Sequence, residues 1–238
     1  MALVDTVPLR IDIWSDIACP WCYIGKRHLE AALKDFPHAD HVELVWRAFE
    51  LDPSAPKVRD REPMVDRIAA KYRLDRASAQ AQLDRVAGVG AQDGLELRFD
   101  RMQPGNTFDA HRLLHFAHDA GKQDALKERL FRAYMTDGQL ISDRDVLAAC
   151  ARDVGLDEAA AREVLAGDRY TREVRGDEAL AGKLGITGVP FFVFRGELAV
   201  SGAQPASVLR AMLDRAWSES TQQATVADGA ACGPDGCD

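Results

Sequence analysis

Strand-forming sequence occurs at only the two ends of this 238-residue chain, and a long helical block keeps the two stretches apart. Leu9 to Trp14 reads LRIDIW, with apolar and polar residues alternating as in a strand. A helical pattern starts at Pro20, runs through Ile24, Leu29, Ala32 and Leu33 to about Phe36, and is stopped by Pro37. His41 to Glu50, which contains VELVW, reads as the second strand. The helix between them is long enough for a parallel crossover, so the chain opens as β–α–β. Strand character returns only at Val189 to Phe194, VPFFVF; Arg195-Gly196 is a tight-turn candidate, and Glu197 to Ser201 forms the second arm of a hairpin. Gln204 to Trp217 is a final helix with Val208, Leu209, Met212, Leu213 and Trp217 on one face.

From about Glu62 to Leu184 the pattern is almost entirely helical. Helices are expected at Pro63 to Tyr72, Ser78 to Gly88, Thr107 to Ala120, Lys122 to Thr136, Ser142 to Val154 and Asp157 to Leu184, the last broken near Gly167 or Gly176. Ser142 reads as an N-cap, and Gly121, Gly138 and Gly155 sit just past helix ends. The irregular stretch between Gly88 and Asn106 is expected to hold a short extended piece, Leu95 to Phe99. A β–α–β unit joined to a β–β–α unit is the thioredoxin arrangement. The expected division is therefore an α/β thioredoxin domain built from residues 1–60 and 185–218, an inserted all-helical domain at 61–184, and a flexible polar tail at 219–238.

Hydrophobic residues make up 47% of the chain, enough for a core without disulfide staples. The net charge of −8 repels phosphate backbones, so no nucleic-acid partner is expected. No stretch approaches the roughly 20 apolar residues of a membrane span, so no membrane partner is expected either. Met1 to Arg10 lacks the basic segment and long apolar run of a secretory signal, and a cytoplasmic protein is expected.

The five cysteines fall as two close pairs and a single: Cys19 with Cys22, Cys232 with Cys237, and Cys150. Close pairing points to redox chemistry or metal binding rather than to a stapled framework. Cys19-Pro20-Trp21-Cys22 lies at a strand-to-helix junction. A spacing of three places both sulfurs on the first helical turn, within disulfide reach. Pro20 suits the first helical position, where a missing N–H costs nothing. Cys19 then faces the positive end of the helix, which lowers the pKa of a thiol from its ordinary value of about 8.5. Cys19 is thus the expected nucleophile and Cys22, one turn in, the expected resolving thiol. A zinc site would want two further ligands with their own spacing, and His28 lies two turns away.

Gly188-Val189-Pro190 precedes the late strand. Proline can open a strand without breaking its ladder, and an X–Pro bond is where a cis peptide is cheap. In the thioredoxin arrangement this position lies beside the cysteine pair. A cis bond would turn the Val189 backbone toward the sulfurs, where it could pair with an extended substrate.

Three motifs in order, SDIACPWCYIGK, NTFDAHRLLHFA from Asn106 and GITGVPFFVF, resemble the DsbA-like thioredoxin superfamily. More narrowly, they resemble its FrnE-type branch of cytosolic disulfide oxidoreductases. The resemblance runs from about Ile11 to Trp217. It implies a thioredoxin domain interrupted by a helical domain, with Cys19 attacking, Cys22 resolving and Val189–Pro190 as the cis-proline loop. Pro20, Trp21 and Val189 would contact substrate. It implies protein thiols and disulfides as substrates, glutathione or a thioredoxin-system reductant as a further partner, and no cofactor. Kappa-type glutathione transferases and 2-hydroxychromene-2-carboxylate isomerases share the architecture but typically carry serine near the attacking position. Glutathione-dependent transfer or isomerisation is therefore the alternative, and the retained cysteine pair favours dithiol exchange. Trp21 stands where periplasmic DsbA enzymes usually carry histidine between the cysteines, so a weaker oxidant than theirs is expected.

Cys232 and Cys237 enclose Gly-Pro-Asp-Gly, strong turn chemistry that lets two sulfurs meet. Disulfide exchange with Cys19–Cys22 and soft-metal binding both fit this pair. Cys150, in VLAACARDVG, reads as a small buried apolar residue. Asp16 is a candidate turn cap or proton acceptor near Cys22, and Asn106 or Thr107 a candidate helix cap. His111, His115 and His118 read as packing and surface residues, and Lys26 and Arg27 as solvated.

Overall fold

The computed structural model describes residues 8–57 and 62–228. In chain order the elements are β1 (Leu9–Ser15), α1 (Pro20–Lys34), β2 (Val42–Ala48), α2 (Met64–Tyr72), α3 (Arg76–Gln92), α4 (Phe108–Asp119), α5 (Gln123–Met135), α6 (Arg144–Asp153), α7 (Glu158–Ala166), α8 (Thr171–Lys183), β3 (Phe191–Phe194), β4 (Leu198–Ser201) and α9 (Ala206–Asp228). The strands form one sheet in the order β2-β1-β3-β4. β1 and β2 are parallel, with Ile13 beside Trp46. β3 runs antiparallel to β1, with Phe192 beside Ile13, and β4 antiparallel to β3. Arg195 and Gly196, at φ 55° and 76°, carry the hairpin reversal, as the strand twist requires. This is the thioredoxin fold, with helices inserted between β2 and β3.

The alternation of β1 sorts its side chains to two faces. Leu9, Ile11 and Ile13 pack with Leu29 and Phe36 of α1, Phe192 and Phe194 of β3, and Leu209 and Leu213 of α9. On the opposite face Trp14 packs with Val193, Ile186 and Ala181 of α8. Asp177 of α8 fastens that helix to the sheet. Its carboxylate accepts from the Ala48 N–H at 3.0 Å and from Arg47 at 2.9 Å, and His115 Nε2 lies 2.9 Å away. The Trp14 indole donates to the Asp177 carbonyl at 3.0 Å.

One core spans the start of α1 and the helical block. Cys22, Tyr23 and Ile24 share it with Leu113 and Leu114 of α4, Leu126, Leu130 and Phe131 of α5, and Cys150 of α6. Each fully buried Leu or Phe contributes about 1.5–3 kcal/mol. The helical block is therefore fused to the cysteine-bearing turn, not appended to it.

Several boundaries differ from the sequence expectation for local reasons. α3 starts at Arg76, because the Asp75 carboxylate accepts from Ser78 N–H and acts as the cap. α6 is capped by Asp143, not Ser142, whose hydroxyl donates to the Lys57 carbonyl at 3.0 Å. The break after α7 falls at Gly167, while Gly176 lies inside α8. Leu95 to Phe99 forms no strand: Leu95 and Leu97 turn into the core, and Arg98 N–H donates to Met135 of α5. α9 continues past Trp217 to Asp228. The pair Cys232 and Cys237 lies outside the described residues. Among the described residues no helix is long and apolar enough to cross a membrane.

Candidate active site

β1 delivers the chain to a turn held by Asp16. Its carboxylate accepts from Ala18 N–H at 3.3 Å and from Leu51 N–H, in the loop after β2, at 2.7 Å. Cys19 follows in the extended N-cap conformation and Pro20 is the first helical residue, as the sequence predicts. Cys22 lies one turn in. Cys19 is 5% exposed, Cys22 0%, and Trp21 between them 41%, so a partner meets Trp21 and the Cys19 sulfur before Cys22.

The Val189–Pro190 peptide is cis. The Cys19 thiol donates to the Val189 carbonyl at 3.5 Å. Behind this contact α1 passes Pro190 at Gly25, where an added Cβ would stand 2.9 Å from Pro190 Cγ. Glycine here lets the proline loop lie flat against the helix.

The two sulfurs titrate as one system. Hydrogen bonding with Cys22, then burial and the charge of Cys22, push the Cys19 thiol well above its ordinary value. Burial also pushes Cys22 up, but Cys19, the Ser15 hydroxyl and the charge of Lys127 outweigh it and bring Cys22 below the ordinary thiol value. The direction for Cys19 is opposite to that expected from the helix end alone: its thiol is buried against Cys22 and turned to the Val189 carbonyl.

The surrounding polar groups are buried. Burial pushes the Asp16 carboxyl up, but His111, the Leu51 N–H and Thr107 outweigh it and hold Asp16 ionised. His111 Nε2 stands 3.5 Å from Asp16, without a well-aligned hydrogen bond. Its pKa is lowered, chiefly by burial. Asp16 is therefore both the turn's cap and a fixed anion. Lys127 of α5 is fully buried, and burial brings its pKa down to about 8.

α1 and α5 are also tied by charge. Tyr23 donates to Glu128 at 2.7 Å and stacks on Phe131 at 4.8 Å. Arg27 pairs with Glu128, and buried Lys26 pairs with Glu30, with Asp124 at 3.2 Å and with Glu128 at 3.4 Å. Lys26 and Arg27 are thus not simply solvated. Thr107 is the N-cap residue of α4 and makes no side-chain capping bond; Asn106, one residue earlier, accepts from Phe108 N–H at 3.2 Å. Cys150 is buried in the core, where its thiol is pushed up to about 11. His111 and His115 each face a different carboxylate, and His118 is exposed.

A cleft of about 510 Å³ opens between the cysteine turn and α2, lined by Ala18, Leu51, Met64, Arg67, Lys71 and Thr107 among others. Sequence reasoning did not single out Lys127 as a site residue. A signal was present: Gln123 and Lys127 fall on the buried stripe that continues through Leu130, Phe131 and Tyr134.

Comparison with known proteins agrees with this geometry. The family model of the DSBA-like thioredoxin domain matches residues 10–214. The chain belongs to the DsbA-like thioredoxin domain family. Within it, the chain is 31% identical over 199 residues to YwbO of Bacillus subtilis (strain 168), covering 82% of this chain and 90% of that one. Among solved structures it is similar to a probable DsbA oxidoreductase from Streptomyces coelicolor. There the TM-score is 0.83 and the identity 43%, with 97% and 98% of the two chains covered. The cytosolic disulfide reductase DsbM from Pseudomonas aeruginosa shares the fold, with a TM-score of 0.58 at 19% identity and coverage of 87% and 98%. DsbA-like family membership and these similarities support a disulfide oxidoreductase in general terms.

Proposed function

We propose that this protein exchanges disulfides with protein substrates through Cys19 and Cys22. The observation that carries the reading is the Cys19 sulfur, the outer of two buried thiols, lying 3.5 Å from the Val189 carbonyl of the cis-proline loop. That loop offers backbone to an extended peptide beside the reacting sulfur, and Trp21 offers an exposed apolar surface next to it.

The chemistry follows from the shared proton. When the proton of the pair passes to Cys22, Cys19 becomes the thiolate and attacks a substrate disulfide. One substrate sulfur joins Cys19 and the other leaves as thiolate. Cys22 then loses its proton and attacks Cys19, forming the Cys19–Cys22 disulfide and releasing the second substrate thiol. The reverse sequence oxidises a substrate dithiol. In a cytoplasmic setting a thiol reductant, glutathione or a thioredoxin-type protein, would return the pair to the dithiol.

Insulin reduction with dithiothreitol tests this directly. Wild type should accelerate it, Cys19→Ser should abolish the acceleration, and Cys22→Ser should accumulate a mixed disulfide. Unchanged turnover by Cys19→Ser would sink the reading. The cleft beside Ala18 favours one second reading, a glutathione-dependent transferase or isomerase, since it is large enough for a small thiol. Glutathione conjugation or isomerisation surviving in Cys22→Ser would select it.

A further inference from the structure

We propose that Lys127, supplied by the helical block, is a positioning residue that stabilises the Cys22 thiolate and thereby raises the reduction potential of the Cys19–Cys22 couple. This rests on the reading of those cysteines as a redox pair.

Lys127 Nζ is fully buried and has no hydrogen-bond acceptor among the described residues. Its surroundings are two aromatic faces, Trp46 at 5.4 Å and Phe131 at 4.9 Å. Ring faces attract a cation but do not neutralise it. A buried ammonium persists only with a counter-charge. The anions whose fields reach it are, in decreasing order, Cys22, Asp16, Cys19 and Asp124. The cationic side of that balance includes His111, which Lys127 disfavours in its charged form.

These anions differ in what they are free to do. Asp124 is half exposed and already holds Lys26 and the Trp46 indole. Asp16 is fixed as an anion by Ala18, Leu51 and His111. Neither charge changes in the redox cycle. The charge of the cysteine pair does: a dithiol can ionise and a disulfide cannot. Lys127 therefore interacts differently with the two states, which is the condition for setting their balance.

The reduction step is balanced as follows. A glutathione thiolate attacks the Cys19 sulfur, the Cys19–Cys22 bond breaks, and Cys22 leaves as a thiolate beside the Lys127 ammonium. A second glutathione thiolate attacks the glutathione sulfur on Cys19 and releases glutathione disulfide. The resulting Cys19 thiolate takes a proton from solvent. Lys127 Nζ has no hydrogen-bond partner among the described residues, so its part in this step is its charge and not a proton transfer.

The test is the equilibrium of full-length wild type, Lys127→Met and Lys127→Gln with reduced and oxidised glutathione, read as the fraction of Cys19–Cys22 disulfide. Each variant should hold its disulfide about tenfold more strongly, a potential about 30 mV more negative. The pH midpoint of thiolate absorbance should rise with it. Melting of the oxidised form relative to the reduced form should rise in the same variants, a difference that a purely structural role would not produce. Folded variants with the wild-type equilibrium, or one shifted the other way, would overturn the inference and leave the proposed function standing. A wild type that never forms the Cys19–Cys22 disulfide would overturn both.

Discussion

Cys19 donates its thiol proton to the carbonyl of Val189, a residue 170 positions later in the chain. The contact joins the β–α–β half of the sheet to the β–β–α half at the reacting sulfur. It also engages the proton of Cys19, whose pKa is raised while that of Cys22 is lowered. Accessibility and the lowered pKa thus fall on different sulfurs. Alkylation should report this split. Iodoacetamide should modify Cys19 first, at a rate that follows the titration of the pair, with Cys22 and Cys150 protected until the protein unfolds. Mass mapping after brief labelling checks the order. Cys22 labelled ahead of Cys19 would contradict the assigned geometry.

The Gly25→Ala variant sets helix propensity against packing. Alanine inside a helix normally gains about 0.8–1 kcal/mol over glycine. Here the new methyl would stand 2.9 Å from Pro190 Cγ and 3.4 Å from Phe192 Cζ, neither at the end of a flexible side chain. Overpacking of this kind costs about 1–3 kcal/mol, so packing should win. The expected result is a lower denaturation midpoint together with slower disulfide exchange, because the Val189 carbonyl moves with the loop. A more stable variant at full activity would show that the loop yields freely.

The element order, the cysteine turn and the proline loop were legible because each rests on local sequence. Period-two strands, the Pro20 start and the Gly121, Gly138 and Gly155 ends all act within a few residues. The electrostatics of the site were not legible. The cation near Cys22 comes from α5, and the partner of Asp16 comes from α4. Their approach depends on how the helical block packs, which no spacing within either segment reveals. The same holds for Leu95 to Phe99. Its alternation is real, but it serves burial in the helical core because no strand edge lies beside it.

Asp16 and His111 should make the protein acid-sensitive in two stages. The folded-state pKa of His111 lies below its ordinary 6.5, so below that pH the unfolded chain binds more protons and stability falls. Asp16 is likewise depressed, below 3.8. Its contribution is complete above that value and is lost as pH falls through the folded-state pKa. Melting temperature against pH should therefore decline below about 6.5 and again in the carboxylate range. Replacing His111 with Gln should flatten the first decline. Identical profiles for wild type and variant would remove His111 from the account.

Asp177 offers a test of how α8 is fastened to the sheet, away from the sulfurs. Its carboxylate is buried and serves Ala48 N–H and Arg47, with His115 alongside. The Asp177→Ala variant leaves a buried N–H without an acceptor and a guanidinium without one of its two carboxylates, the other being Asp12 at 2.7 Å. Removing one partner of a buried pair costs about 3–5 kcal/mol. For a chain of this size, 1 kcal/mol corresponds to roughly 2–4 °C of melting temperature, so a fall on the order of 10 °C is expected. Asn at the same position keeps one acceptor oxygen and should lose less. The Cys19–Cys22 potential should not move in either variant, since Asp177 is not among the leading charges acting on Cys19, Cys22 or Lys127. A potential that shifts with Asp177 would mean that its charge reaches the pair, and Lys127 would then not act alone.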